Sequence, residues 1–496
     1  MMNRDLKAFW AVVLISAAVY GIFAGGHYGG DAINNYLTTE SIVLDGDLEI
    51  YDREFSVEEL GVSGSRGVAG KSGARYSPYG LGMALLQLPL YLLGLGVAGV
   101  LRGVPGDYIT FFFSSFTSAV LSAFNAGFVL LLARRLGAGM KESAAAALVY
   151  AFSTMAFVYS QTGFPEPAMT ACLLAAVILI MRYREGEGAA GGLALAGLAL
   201  GFMAMIKIYA VILVPVFLLY FLSGNGYRKR TVWAAAFGFL LLLALDLSAN
   251  YLKYGSVLMT GYGHIAGKIK YGDRFIKGLY YYWFSSGKGF FFYNLPAVLG
   301  CLGLVRLLKT RKPDAMLLTG ITAVYVVFFA YFFRRGSLFS WGPRYVFPLL
   351  PVFMASSAVV LGKRPYRMVF LVLAFAGCLV QAPAVLSHYP GYINFVKSLG
   401  INEYMINFIP DLSPIGGTWR IFLSSIGTGP SMFVYDPDPL FVESVSGSFS
   451  GFDKLDIWPV NMVKAFPGML LPAVAGVAAL GAVLVSGIYK LRKALK

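Results

Sequence analysis

The chain has 496 residues, of which 58% are hydrophobic and only 13% charged, about half the charged share of an ordinary soluble domain. Its mean hydropathy is +0.68 and apolar runs of about 17 to 25 residues recur along it, each long enough to cross a bilayer, so a soluble enzyme is excluded and a multi-spanning membrane protein expected. The formal net charge of +15 does not point to nucleic acid, because Lys and Arg cluster in short connections between apolar runs, where they set membrane topology.

Predicted spans run at about 8–25, 108–133, 143–160, 167–182, 189–205, 206–222, 231–250, 292–308, 314–333, 345–362, 367–387 and 464–489. A further apolar run at 80–101 is ambiguous, and parity resolves it. Seven basic clusters punctuate the chain: Arg4/Lys7, Arg134/Arg135/Lys141, Arg182/Arg184, Arg228/Lys229/Arg230, Lys309/Arg311/Lys312, Lys363/Arg364/Arg367 and Lys490/Arg492/Lys493/Lys496. All fall on one side of the membrane only if 80–101 lies in the interface or re-enters. The expected fold is therefore all-α and polytopic, with about twelve transmembrane helices, outer-face interfacial helices and both termini in the cytoplasm of a cell-membrane protein. The basic N-terminus followed by an apolar stretch also fits a secretory signal. Its long apolar core, with no small-x-small cleavage site before Asp31, favours an uncleaved first span.

Three segments fall outside: 26–107, 251–291 and 388–463. The chain thus divides into a transmembrane core, 1–390, with its first external loop at 26–107, an external region, 388–463, that could shape an acceptor site, and a last helix with a basic cytoplasmic tail, 464–496. Gly- and Ala-rich stretches read as small-residue packing between helices. No inverted repeat is visible, which disfavours a secondary transporter. Cys172, Cys301 and Cys378 lie in apolar segments and read as small core residues rather than disulfides or metal ligands.

The candidate chemistry lies in a few charged residues. Asp31 opens the first external loop beside Gly29 and Gly30, about six residues past the first span. Near the interface, partial desolvation can raise a carboxylate's pKa and make it a better base. Asp45 and Asp47 form an Asp-x-Asp pair that could hold a divalent cation through oxygen ligands, a weak signal on its own. Glu166, between Pro165 and Pro167, opens the fourth predicted span. There it is either ordinary helix-start chemistry or a second acid facing the same cavity as Asp31. Lys207 lies between two apolar runs. It either snorkels to the interface or meets an anion such as a lipid phosphate, since intramembrane cations are costly and usually paired. Arg334, Arg335 and Arg344 put three guanidiniums on the outer side against the topological trend, as if for an anionic ligand or an internal carboxylate. Aromatic residues crowd 279–293, either as an interfacial belt or as a surface for a sugar ring or isoprenoid tail. His27, His264 and His388 show no metal spacing and read as interface residues. No Walker loop, dinucleotide fingerprint, zinc motif or Ser-His-Asp pattern is present, so a soluble nucleotide-sugar donor has no visible site.

In order along the chain, the segments GGDAINNYL, DGDLEI, RYSPYGLGMALLQLPLY, TGFPEP, SSGKGFFFYNLP and WGPRYVFPLLP resemble GT-C glycosyltransferases that use polyprenyl-phosphate sugars, the broad group of protein O-mannosyltransferases and aminoarabinose transferases. The resemblance covers most of residues 8–390. It carries the family's first-loop acid onto Asp31, its interfacial helix onto 80–101 and an acid at the start of the fourth span onto Glu166. The chain departs from many members at Ala32-Ile33, where an acidic or His-containing pair is common. The resemblance implies direct displacement with inversion. An acceptor hydroxyl on a glycan, lipid or protein would be deprotonated by Asp31, and Lys207 and Arg344 would stabilise the departing lipid phosphate. Tyr76, Tyr345, Arg335 and Trp341 complete the expected substrate-binding set. The sequence names no certain cofactor; a divalent cation at Asp45 and Asp47 is the candidate. A transporter or flippase of lipid-linked sugars and a ligase transferring a whole lipid-linked glycan are the alternatives.

Overall fold

In a bilayer, backbone polar groups must be satisfied within the chain, and single apolar segments do this as helices. The computed structural model describes residues 2–24, 26–51, 67–187, 190–223, 229–262, 275–331, 339–425 and 456–496, and these are helical almost throughout. In chain order the helices are α1 (Met2–Phe23), α2 (Gly29–Leu44), α3 (Gly82–Ala98), α4 (Gly106–Arg135), α5 (Met140–Phe152), α6 (Ala156–Tyr159) and α7 (Glu166–Arg184). They continue as α8 (Ala190–Ile206), α9 (Val214–Leu222), α10 (Lys229–Tyr254), α11 (Phe275–Trp283), α12 (Phe290–Tyr293), α13 (Val298–Thr310) and α14 (Lys312–Tyr331). The last are α15 (Leu350–Ala358), α16 (Arg364–Leu386), α17 (Pro390–Ser398), α18 (Pro414–Ser425), α19 (Trp458–Ala465) and α20 (Leu470–Leu495). Between α2 and α3, β1 (Val68–Ala69) pairs antiparallel with β2 (Arg75–Tyr76).

Among the described residues seven helices are long and apolar enough to cross a membrane: Arg4–Phe23, Gly106–Arg135, Glu166–Arg184, Val232–Tyr254, Lys312–Tyr331, Arg364–Leu386 and Pro467–Leu495. Each coincides with an expected span. The other five expected spans are built from shorter pieces. α8 has 17 residues. The run 143–160 is broken between α5 and α6, and 206–222 opens with a 3-10 turn at Ile208–Leu213. The run 292–308 is broken at Asn294, just before a 3-10 turn opened by Leu295-Pro296, and 345–362 begins as a 3-10 turn that contains Pro348. Pro351 sits in the first turn of α15, where its missing N–H is tolerated.

The ambiguous run 80–101 forms α3, which carries Pro89. One face packs on α2 and α4, with Tyr91 buried against Tyr36. The other exposes Leu92, Leu93 and Leu95. α8 and α10 approach closely through small residues, since a Cβ on Gly197 would lie 2.0 Å from the Ala235 carbonyl oxygen. Cys301 and Cys378 are exposed on helix faces rather than in the core, a placement that apolar surroundings allow.

Several basic clusters gather at one end of the bundle. Arg4 donates to the Ala494 carbonyl at 2.7 Å, and Arg134 pairs with Asp5 at 3.0 Å. Arg135 and Arg311 both pair with Glu185, and Arg184 donates to the Tyr220 carbonyl at 2.6 Å. The site lies at the other end of α7.

Candidate active site

Asp31 owes its position to a sharp re-entry of the chain. After α1 the Tyr28 N–H donates to the Thr162 carbonyl at 2.8 Å, and α2 starts one residue later. The Gly-Gly-Asp stretch read from sequence as the opening of a polar loop is the first turn of this 16-residue helix, where an acid suits the helix dipole. The helix forms because Ala32 to Ser41 are all buried against the bundle, and burial outweighs the poor helix propensity of glycine. Gly163, at φ +67°, brings the α6–α7 turn against α2. A Cβ there would meet the Ala32 Cβ at 3.2 Å and the His27 Nδ1 at 2.5 Å. That contact sets Glu166, the first residue of α7, facing Asp31.

Lys207 follows the last residue of α8 in an extended conformation that turns the chain into the 3-10 segment. Arg344 opens another 3-10 turn, Arg344–Leu349. Both cations are buried, and both converge on one oxygen. The Lys207 ammonium donates to Asp31 Oδ2 at 2.8 Å, and Arg344 Nη2 donates to the same oxygen at 2.7 Å. Arg344 Nε donates to Glu166 Oε1 at 2.7 Å. The guanidinium lies 3.9 Å from the centre of the Phe164 ring, and the Lys207 ammonium 3.9 Å from the centre of the Tyr79 ring and 5.7 Å from that of Tyr262, contacts that favour desolvated cations. The Tyr79 hydroxyl donates to Asp31 Oδ1. Two acids and two cations thus form one cluster.

Exposure separates the two acids. Glu166 is fully buried at 0%, whereas the Asp31 side chain is 17% exposed. Glu166 Oε2 has no hydrogen-bond partner among the described residues. Burial pushes the Asp31 carboxyl up, but the Arg344 guanidinium and the Lys207 ammonium outweigh it and hold the group well below the usual carboxylate range. Burial and the adjoining carboxylate push the Tyr79 phenol up, which keeps it a donor.

The other expected residues are spread around this centre. Tyr345 stacks on Phe329 with ring centres 5.4 Å apart, directly after Arg344. Trp341 is fully buried, and its indole N–H donates to Gln381 at 2.8 Å. Tyr76 lies on β2, opposite Glu49, with its ring edge-on to Tyr254. Arg335 and His264 lie outside the described residues. Asp47 accepts the Glu49 N–H at 3.0 Å and the Tyr51 hydroxyl at 2.7 Å, while Asp45 caps the end of α2. Among the described residues no three His, Cys, Asp or Glu side chains group as a metal site. Lys207 was expected to meet a phosphate or snorkel; its partner here is Asp31, and at 3% exposure it does not reach solvent. The aromatic run is divided, with Tyr281, Tyr282, Trp283 and Phe290 buried and Tyr280, Phe284 and Phe292 exposed.

Three groups near the site were missed from sequence. Tyr79 sits in the Ser-Pro-Tyr-Gly stretch, where a tyrosine between Pro and Gly hints at a side chain presented from a turn. Lys288, in Ser-Gly-Lys-Gly, is buried and donates to the Ser340 carbonyl; a lysine flanked by glycines between aromatic runs was the available signal. Asp456 accepts the Tyr28 hydroxyl and lies 3.7 Å from His388, tying the region 388–463 to the chain just before α2. His27 is buried and held neutral by that burial, its pKa pushed down to about 3, with Nε2 2.9 Å from the Ser114 hydroxyl.

The fold and site define a multi-spanning helical protein with a buried carboxylate–cation cluster at one end. Residues 110–249 match the family model described as dolichyl-phosphate-mannose-protein mannosyltransferase. That stretch runs from α4 to α10 and contains Glu166 and Lys207. The chain is similar to two crystal structures of ArnT from Cupriavidus metallidurans. With the apo form it shares 15% identity at a TM-score of 0.48, covering 98% of this chain and 74% of that one. With the form bound to undecaprenyl phosphate it shares 13% identity at a TM-score of 0.48, covering 98% and 76%. No curated protein matches the chain. The family model and the sequence resemblance meet on one class, the membrane glycosyltransferases.

Proposed function

We propose that the protein transfers a monosaccharide from a polyprenyl-phosphate donor to a hydroxyl of a glycan, lipid or protein acceptor, with inversion, at the outer face of the cell membrane. The observation that carries this reading is the sharing of Asp31 Oδ2 by two buried cations, Lys207 and Arg344. A base locked in two ion pairs is a weak base. A donor phosphate changes that, because its oxygens compete for the same two cations. Asp31 then loses the charges that hold its pKa down and becomes able to accept a proton.

The steps follow from that exchange. Asp31 takes the acceptor hydroxyl proton as the acceptor oxygen attacks the anomeric carbon from the side opposite the phosphate. The anomeric C–O bond breaks, and its electron pair leaves on the lipid phosphate. Lys207 and Arg344 neutralise that growing charge, typically the largest catalytic term. Base assistance contributes about 10²–10⁴-fold. Glu166 holds Arg344 Nε and so fixes the plane of the guanidinium. The Tyr79 hydroxyl orients the carboxylate. The region 388–463, joined to Tyr28 through Asp456, shapes the acceptor side. The matched family model, the buried cations and the gathering of basic clusters at the opposite end of α7 all support this reading.

Purified protein in liposomes should transfer sugar from a polyprenyl-phosphate donor, and mass spectrometry should find such a lipid carried through purification. Lipid movement across the bilayer without transfer would replace this reading with a flippase. Orientation has its own check. A cysteine replacing Arg102, just past α3, should be labelled from the outer face, and one replacing Arg135 only from the cytoplasm.

A further inference from the structure

Tyr79 is carried by a short turn, Ser77-Pro78-Tyr79-Gly80-Leu81, that does little to hold itself in place. Its internal bond is the Tyr79 N–H to the Ser77 hydroxyl at 3.3 Å. Three side chains of α10 hold the turn from outside, and all of them grip backbone. Lys253 donates to the Tyr79 carbonyl at 2.8 Å and to the Ser77 carbonyl at 3.3 Å. The Tyr254 hydroxyl donates to the same Ser77 carbonyl at 2.9 Å. The Leu81 N–H points to Asp246 Oδ1 at 3.4 Å, two helical turns before Lys253 on the same face of α10.

Lys253 is 1% exposed, and among the described residues no carboxylate lies within ion-pair distance of it. A buried ammonium is costly unless its protons find acceptors, and here the acceptors are main-chain carbonyls. The opposite side of the turn is also closed. A Cβ on Gly80 would lie 2.0 Å from the Met205 carbonyl oxygen and 2.8 Å from Asp246 Oδ1, so only glycine fits between α10 and the end of α8. The turn is therefore wedged beside Lys207. What it projects is the Tyr79 ring against the Lys207 ammonium and the Tyr79 hydroxyl on Asp31.

We infer that Lys253, assisted by Tyr254 and Asp246, is a positioning residue: its grip on the carbonyls of Ser77 and Tyr79 holds the Tyr79 side chain against both members of the Lys207–Asp31 pair. Only the catalytic consequence of this arrangement rests on the proposed function; the placement of Tyr79 does not.

The test uses the full-length protein in nanodiscs with 3-fluorotyrosine at position 79. Asp31→Asn marks the fluorine resonance of a Tyr79 phenol that has lost its carboxylate. Lys253→Met should move the resonance in the same direction, while Ser248→Ala, an exposed position on the same helix, should leave it in place. Transfer supplies a second readout. Lys253→Met should lower kcat about tenfold in the native background and less than about twofold in a Tyr79→Phe background, the non-additivity expected when one residue acts through another. An unmoved resonance in folded Lys253→Met protein, or losses that simply multiply, would overturn the inference. Should Lys253→Met not fold, Tyr254→Phe removes only the second bond to the Ser77 carbonyl. It should give a smaller shift in the same direction, and an unmoved resonance there overturns the inference equally. If the wild-type protein transfers no sugar, the proposed function fails and the fluorine measurement still decides the role of Lys253.

Discussion

Helix α7 carries an ion-pair cluster at each end, and the two could hardly be built more differently. Glu166 opens the helix and Glu185 closes it, roughly 28 Å apart at 1.5 Å per residue. At the Glu185 end, Arg135 and Arg311 share one carboxylate, Arg135 also reaches Glu187 at 2.6 Å, and Arg311 reaches Asp314 at 2.7 Å. This end is more open, with the Glu187, Arg311, Glu185 and Arg135 side chains 57%, 32%, 31% and 14% exposed and Asp314 at 9%. At the Glu166 end the Lys207, Arg344 and Glu166 side chains are 3%, 8% and 0% exposed, and Asp31 is the most exposed at 17%. Exposed ion pairs contribute about 0–1 kcal/mol and are screened by salt. Buried pairs often stabilise no better than apolar side chains of the same volume. A cluster that is costly to bury and gives little stability in return is where a functional site is to be sought. The Glu185 end ties α4, α7 and α14 together, and the Glu166 end is where the proposed function puts the substrate.

Arg344→Ala should have the largest effect. It leaves Glu166 buried without its cation and removes one partner of Asp31. Breaking a buried pair in this way costs about 3–5 kcal/mol, which thermal unfolding in detergent would show. Transfer should fall by about 10²–10³-fold, as when a donor to developing charge is removed. A stable, active Arg344→Ala protein would erase the distinction between the two ends.

Lys207→Met comes next. Asp31 keeps Arg344 and Tyr79, so folding should suffer less. Donor binding should weaken together with turnover, because in the proposed mechanism Lys207 meets the phosphate in both the ground state and the transition state. Normal donor affinity in a titration with lipid would remove Lys207 from the phosphate site.

The pH dependence of stability sharpens the comparison further. The folded-state pKa of Asp31 is depressed, so its ion pairs stabilise the protein fully above the ordinary carboxylate value. That contribution is lost as pH falls toward the folded value. The stability difference between wild type and Asp31→Asn should therefore stay flat from about pH 8 to pH 5 and narrow only below about pH 4. A difference already shrinking between pH 7 and pH 5 would mean that Asp31 is not held in these pairs.

Arg135→Ala should have the smallest effect. A loss within about 1 kcal/mol, shrinking further in high salt, and unchanged transfer are expected of a pair whose carboxylates are open to water. Loss of transfer in this variant would show that the two ends are coupled.

Much of this arrangement was legible in the sequence, for identifiable reasons. A membrane makes charge conspicuous, so Asp31, Glu166, Lys207 and Arg344 stood out singly, and topology put them on one side. The structure brings these four together. The long spans were legible because hydropathy alone defines them, whereas the breaks at Asn294 and at the 3-10 turn Arg344–Leu349 show only once the helices are built. Asp31 looked like a loop residue because Gly29-Gly30 reads as a turn. Burial of Ala32 to Ser41, a tertiary effect, makes it helical. Tyr79 stayed hidden because its contact spans 48 positions and a neutral phenol carries no charge to betray it. Lys253 resembled any cation at a helix end, and only its carbonyl partners separate it from a snorkelling side chain.

The most direct measurement is sugar transfer by Asp31→Asn, read beside donor binding on the same folded protein. The substitution keeps the shape of the side chain and removes its capacity to take a proton. The account predicts that transfer falls by about 10²-fold or more while donor lipid still binds, since Lys207 and Arg344 remain. Transfer at the wild-type rate would contradict it and move the search for the base to Glu166.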